Sequence, residues 1–325
     1  MISPVRPCLV VGIFGGLLLL SAGCKCGKSG GHGGTWGGKA PSCKGLAATC
    51  GPSGDDDCCK SLLVPGGTFY RSYNGVDYVD KSYPATVSDF YLDKYEVTVG
   101  RFRRFVNAGM GTQKSVPAEG AGAHPRIAGS GWSSTWNTNL AADTDALRTD
   151  QKCFASYQSW TDAPGSNESK PVNCLSWYTA FAFCAWDGGR LATEAEWSYA
   201  ASGGSEQRYY PWSSPPNSTA IDDSYAAYCG GTCTSLQTVG SKSPKGDGKW
   251  GQSDLGGNAW EWVLDWNPKP FPMPCHDCAV VGGAPFRNFR SGAFDDIPAT
   301  LRSATRHVYH PDYHGIIGAR CARTP

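Results

Sequence analysis

Methionine is scarce in this chain, at three residues of 325, and neither sign of charge is in excess. Lys and Arg number 29 and Asp and Glu 28, for a formal net charge of +1. A chain so balanced carries no basic field for nucleic acid and no acidic tail. Charged residues make up only 18%, which speaks against a helix bundle. No glycine-rich phosphate loop follows a strand-like segment, so nucleotide binding has no support. There is no G-x-S-x-G elbow and no H-E-x-x-H pair, which removes the ordinary serine-hydrolase and zinc-protease signatures. The main apolar run, residues 9–20, is too short and too glycine-rich for a comfortable membrane span.

What is abundant is cysteine (15), glycine (42) and tryptophan (12). That many cysteines fit an oxidising compartment rather than the cytosol. Gly and Trp in such numbers, with few charges, favour a loop-rich domain. The N-terminus accounts for the compartment: an Arg precedes the apolar run and small residues follow it, the layout of a secretory signal. The run ends in Leu20-Ser21-Ala22-Gly23-Cys24, which resembles a bacterial lipobox. The resemblance implies a signal peptide over residues 1–23 and lipidation of Cys24. The protein would then be tethered to a bacterial membrane, at the outer membrane or cell surface, with the rest of the chain extracytoplasmic. An ordinary signal peptide, with Cys24 paired to Cys26, is the alternative. Residues 24–41 read as a Gly-rich tether. Residues 42–61 hold Cys43, Cys50, Cys58 and Cys59, where the secreted context favours disulfides over a metal site without fixing the partners.

From residue 62 the texture becomes that of a folded domain. LLVPGGTFYRSY is apolar and strand-like, broken at its glycines, and ATVSDFYLDKYEVT alternates as a strand. Three helices are marked by local signals. Thr98 caps the first, with Phe102, Phe105 and Val106 on one face. Ser176 caps the second, whose stripe is Trp177, Ala180, Phe181, Cys184 and Ala185. Thr193 and Glu196 form a capping box for the third. Residues 110–171 are mostly irregular, and Trp132, Trp136 and Trp160 are expected to hold them in place. Short helices among short strands mean α+β rather than βαβ repeats.

The motifs VPGGTFY, LDKYEVTVGRFRRFV, PVNCLSWYTAFAFCAWDGGRLATEAEWSYAASGG, YPW, DLGGNAWEWVLDW and FRSGAF…LRSATR…GARCAR follow in this order. They resemble the formylglycine-generating enzyme family, also called the sulfatase-modifying-factor domain, over residues 62–325. The resemblance implies an irregular α+β fold related to C-type lectins, with little regular secondary structure and often with bound calcium. In the family's enzymes two cysteines near the C-terminus bind copper and turn a substrate cysteine into formylglycine. Those cysteines belong between a glycine-rich motif and an R-x-x-x-R motif, here residues 291–306, and that window contains none. Asp295 and Asp296 stand there instead, and carboxylates cannot replace the soft thiolate pair that copper(I) requires. Copper is therefore not expected.

Other assignments follow from the same resemblance. Asp254, Gly257, Ala259 and Glu261 would supply the oxygen ligands of a structural Ca²⁺. The alternative for Glu261 is a hydrogen-bonding role in the core between Trp260 and Trp262. Cys184 and Cys321 match a bridged pair of the secreted enzymes, whereas the cysteines of a second bridge are both absent, near Ala201 and Ser303. Cys229 with Cys233 and Cys153 with Cys174 are local pairing candidates. Cys275 and Cys278, in CHDC, are half a zinc pattern without a second half, and a local disulfide or separate distant partners are the better readings.

Two functions from different classes remain. One is a non-catalytic module that binds a ligand or a protein partner, with Trp266, Arg290, Tyr309, Tyr313 and His314 as contact residues, since Arg and aromatics dominate binding hot spots. The other is an oxidoreductase of the formylglycine-generating type, or a drifted metal-dependent oxidase. Its catalytic candidates are Asp295, Asp296, Arg302, Arg306, His307 and His310. Arg302 and Arg306 have a structural alternative, pairing with Asp295 and Asp296.

Overall fold

The computed structural model describes residues 35–36, 40–267 and 270–325. The signal segment and Cys24 lie outside the described residues, as does the tether apart from residues 35–36, 40 and 41. Regular elements are short and mixed. In chain order they are β1 (Thr35–Trp36), β2 (Ser61–Val64), β3 (Gly67–Tyr70), β4 (Pro84–Val87), β5 (Phe90–Asp93), α1 (Val99–Asn107), α2 (Thr144–Asp150) and α3 (Trp177–Trp186). β6 (Arg190–Leu191), α4 (Glu194–Ala201), β7 (Trp260–Trp266), β8 (Arg287–Arg290), β9 (His307–Tyr309), β10 (Ile317–Gly318) and β11 (Cys321–Arg323) complete the set. The fold is α+β, with a five-stranded sheet ordered β1-β2-β5-β11-β6, a four-stranded sheet ordered β10-β7-β8-β9, and the hairpin β3-β4.

The helices begin where their caps place them. Thr98 accepts from the Arg101 N–H, Ser176 from Thr179, and Thr193 with Glu196 closes a complete capping box. The segment 85–98, read above as a strand, instead contributes to two strands in different sheets, β4 and β5. The break at Ser88–Asp89 has a cause in long-range hydrogen bonds: Ser88 donates to Asp277 through its backbone N–H (2.6 Å) and hydroxyl (2.7 Å). Asp89 in turn accepts from the Gly66 N–H at 2.7 Å.

The Trp-rich insertion is pinned by its aromatics. Trp132 and Trp160 are buried, and Trp136 meets the Trp177 ring edge-on with centroids 5.2 Å apart. The Cys-rich segment is built into the same body rather than standing apart from it. Cys43 is bonded to Cys59 and Cys50 to Cys58, Asp56 binds Lys94 at 2.8 Å and the Tyr95 hydroxyl at 2.7 Å, and the described residues form one compact unit. Cys184 on α3 is bonded to Cys321 on β11, and Cys153 to Cys174. At the place of the absent second bridge, the Ser303 hydroxyl donates to the Ala201 carbonyl at 3.0 Å. Among the described residues no helix is long and apolar enough to cross a membrane.

Candidate functional site

Strand β7 organises the site because its sequence, WEWVLDW, alternates. Trp260, Trp262 and Leu264 enter the aromatic core with Phe289 of the neighbouring β8, while Val263 joins a second core beside Trp197 of α4. Glu261 and Asp265, in register with Val263, reach polar groups on that second side. Ahead of β7, Gly257 turns the chain at φ +94°, and a Cβ there would lie 2.4 Å from the Ala227 carbonyl.

Trp260 and Phe289 cross at 90° with centroids 4.9 Å apart and form the floor of a cleft of about 250 Å³. Ile316 and Ile317 complete the floor, and Asp295, Asp296, Tyr309 and Tyr313 form the rim. Tyr309 is 45% exposed, and its ring centroid lies 4.0 Å from that of Tyr313. The loop carrying the two carboxylates is fixed at both ends of Asp296: its side chain accepts from the Ala293 N–H and its carbonyl from the Cys229 N–H, each at 2.8 Å. Burial raises the pKa of both carboxyls, and the charge of Asp295 adds to the rise at Asp296. His307 packs on the Trp260 ring at 4.8 Å, and burial followed by the nearby Arg290 lowers its pKa. The cleft therefore offers a rigid aromatic floor and an acidic rim.

Four of the sequence-derived candidates line this cleft: Asp295, Asp296, Tyr309 and Tyr313. His307 borders it through the Trp260 ring. The rest are elsewhere. Arg290 is not a contact residue: it is fully buried, paired with Glu194, and donates to the Ser303 and Thr305 carbonyls. Arg302 pairs with Asp77, not with Asp295 or Asp296, and Arg306 lies over the Phe271 ring at 3.7 Å. Trp266 is taken up by a neighbour, since Arg287 is sandwiched between its ring (3.6 Å) and that of Trp177 (3.5 Å). His310 packs on Phe286, and His314 Nδ1 is 2.9 Å from the Cys174 carbonyl. Among the described residues no group of three or more His, Cys, Asp or Glu is placed to hold a metal ion. Trp260, Phe289, Ile316 and Ile317 were not singled out as site residues. For Trp260 the signal was the alternation of β7, which also describes any buried strand; Ile316 and Ile317 lie just before and at the start of β10 and carried no such pattern.

The side chains expected to bind calcium have protein partners of their own. Both Glu261 oxygens accept from Arg320, and one also accepts from Trp197 Nε1 at 2.7 Å. The Ser291 hydroxyl lies 3.2 and 3.1 Å from the Asp254 and Gly257 carbonyls. Asp254 is pushed up to about 6, first by burial, and accepts from the Gly240 N–H. Nearby Glu96, which sequence reasoning missed, accepts from Asn258 and from the Ala259 N–H. Its pKa is raised first by burial and then by Asp254 and Glu261. Burial and mutual repulsion thus favour the protonated forms of Asp254 and Glu96, and Arg320 neutralises Glu261 directly.

Residues 47–325 match the sulfatase-modifying factor enzyme 1-like domain. The chain belongs to that family. A formylglycine-generating enzyme of Thermomonospora curvata is 29% identical over 238 residues, covering 63% of this chain and 71% of the relative. An inactive C-alpha-formylglycine-generating enzyme 2 of Mus musculus is also 29% identical, over 287 residues, covering 80% and 84%. PvdO from Pseudomonas aeruginosa superposes with a TM-score of 0.56 at 21% identity, over 82% of this chain and 95% of that one. Treponema denticola variable protein 1 superposes with 0.53 at 19%, over 82% and 96%. These likenesses give a sulfatase-modifying-factor domain its fold here. Active and inactive relatives stand at the same identity, so the reaction has to be argued from the cleft.

Proposed function

We propose that this sulfatase-modifying-factor domain is a non-catalytic binding module, lipid-anchored through Cys24 on the extracytoplasmic side of a bacterial membrane. One observation carries the reading. Every cysteine among the described residues is in a disulfide, and the segment in which family enzymes carry their copper thiolates presents Asp295 and Asp296 to the cleft. Hard carboxylates beside aromatic rings make a poor copper(I) site. They make a good site for a positive group, which gains from the rim charge and from the ring faces together. The ligand chemistry that fits is a cationic side chain next to an apolar stem, as a Lys or Arg of a partner protein presents it. A mouse relative named as an inactive formylglycine-generating enzyme supports the non-catalytic part of this reading.

A peptide array with Lys and Arg at every position of an otherwise neutral background tests the proposal. Retention that depends on the cationic residue and is lost in Asp295→Asn/Asp296→Asn and in Tyr309→Ala/Tyr313→Ala supports it. Retention that is equal for all peptides, or unchanged in both variants, rejects it.

A further inference from the structure

A second chemistry lies outside the cleft, at the surface loop that carries Cys275 and Cys278. These two cysteines are three residues apart and bonded to each other. None of the loop lines the cleft. Cys275 is 3% exposed and packs in the core beside Val87 and Phe69, whereas Cys278 is partly exposed and the intervening His276 is exposed. A short C-x-x-C ring with one buried and one accessible sulfur is the arrangement in which thiol–disulfide exchange can be directed to a chosen atom.

The accessible sulfur has an unusual neighbour. Arg71, 2% exposed, places Nη1 3.7 Å from Cys278 Sγ. Its Nη2 donates to the Pro272 carbonyl at 2.7 Å and lies 3.3 Å from Met273 Sδ. Its Nε has no hydrogen-bond acceptor. Glu194 and Asp265 act on it through space, but among the described residues no carboxylate is within ion-pairing distance of it. The one carboxylate inside the loop, Asp277, is already held by Ser88 and Arg126. A buried guanidinium therefore has one carbonyl, the Phe271 ring and two sulfurs around it but no anionic partner, a costly arrangement that an anion at Cys278 would relieve.

We propose that Cys275–Cys278 is an exchange-competent disulfide whose substrate is the thiol of a partner molecule, with Arg71 as the positioning residue that holds the Cys278 thiolate once the ring opens. The substrate thiolate attacks Cys278 Sγ, forming a mixed disulfide and breaking the S–S bond, and Cys275 leaves as a thiolate that takes up a proton. A second thiol then attacks the substrate sulfur of the mixed disulfide and expels Cys278 as the thiolate beside Arg71. Two substrate thiols become one disulfide, and the protein's disulfide takes the two electrons. This goes beyond the binding role and does not depend on it.

The full chain, equilibrated in glutathione buffers of graded reduced-to-oxidised ratio, then alkylated and peptide-mapped, tests the inference. The expected result is that Cys275–Cys278 opens at ratios where Cys184–Cys321 stays closed, and that Arg71→Met shifts its equilibrium at least tenfold towards the disulfide while Arg71→Lys shifts it less. Opening in step with the buried bridges, or no shift in Arg71→Met, overturns it. Should Arg71→Met fail to fold, the alkylation rate of Cys278 against pH in Cys275→Ser decides. A midpoint well below the ordinary thiol value of about 8.5 supports the inference, and one at or above it rejects it.

Discussion

Arg320 grips both carboxylate oxygens of Glu261 inside the core, with Nε 2.9 and 2.8 Å from them and Nη2 2.6 Å from one, and neither side chain has any solvent exposure. Removing one partner of such a pair strands the other charge. Glu261→Gln is expected to cost about 3–5 kcal/mol of stability, read from urea unfolding. The same pairing predicts that a chelator leaves the thermal midpoint where it is. A midpoint that falls in chelator and returns with Ca²⁺ would make Glu261 a metal ligand after all.

Stability should also decline as pH rises towards neutrality. Burial pushes Asp265 up to about 7, and the neighbouring Glu194 charge adds to the rise, against hydrogen bonds from the Glu194 and Val280 N–H groups. The folded state therefore holds a proton that the unfolded chain has lost above about pH 4. Its stabilising contribution is complete below that point and fades as pH climbs to about 7, by about 1.4 kcal/mol per pH unit. Asp93 and Glu196 oppose this at the acid end. Arg323 and Arg101 hold Asp93 low, and Arg190 with His124 holds Glu196 low, against burial in both cases. Their contribution is lost as pH falls below about 4. Urea midpoints across pH 3 to 8 should show a maximum on the acidic side of neutrality, and Asp265→Asn should flatten the decline above it.

The Cys184–Cys321 bridge closes a separation of 137 residues. Loop-closure entropy for a span of that size is worth about 5 kcal/mol. Cys184→Ala/Cys321→Ala is expected to lose several kcal/mol in chemical denaturation, and more than the loss of Cys229–Cys233, which spans only four residues.

These interactions also show where sequence reading reached and where it stopped. The caps at Thr98, Ser176 and Thr193 were legible because each satisfies N–H groups within three residues of itself. The family, and with it the fold, was legible from motifs in fixed order. Asp295 and Asp296 could be placed at the site because their segment is defined by the motifs on either side. The fate of Arg290 and Arg302 was not legible. Their partners, Glu194 and Asp77, are 96 and 225 residues away, and no local pattern distinguishes a contact arginine from a buried one. The break between β4 and β5 was hidden for the same reason, since Asp277 imposes it from 189 residues away.

Anchoring has a direct readout. In cells fed an alkyne-tagged fatty acid, the chain should carry the label and fractionate with membranes. Cys24→Ser should lose the label and release the protein, whereas a label-free wild type would remove the anchor from the account.

The most direct test of the central claim is chemical. The purified full chain, reconstituted with copper(I) and given oxygen and a cysteine-containing sulfatase peptide, is assayed by mass spectrometry for conversion of that cysteine to an aldehyde. The account predicts no aldehyde above the protein-free control and no stoichiometric copper retained. Aldehyde formed in proportion to the protein, with about one copper held per chain, would contradict it and make this domain an oxidase.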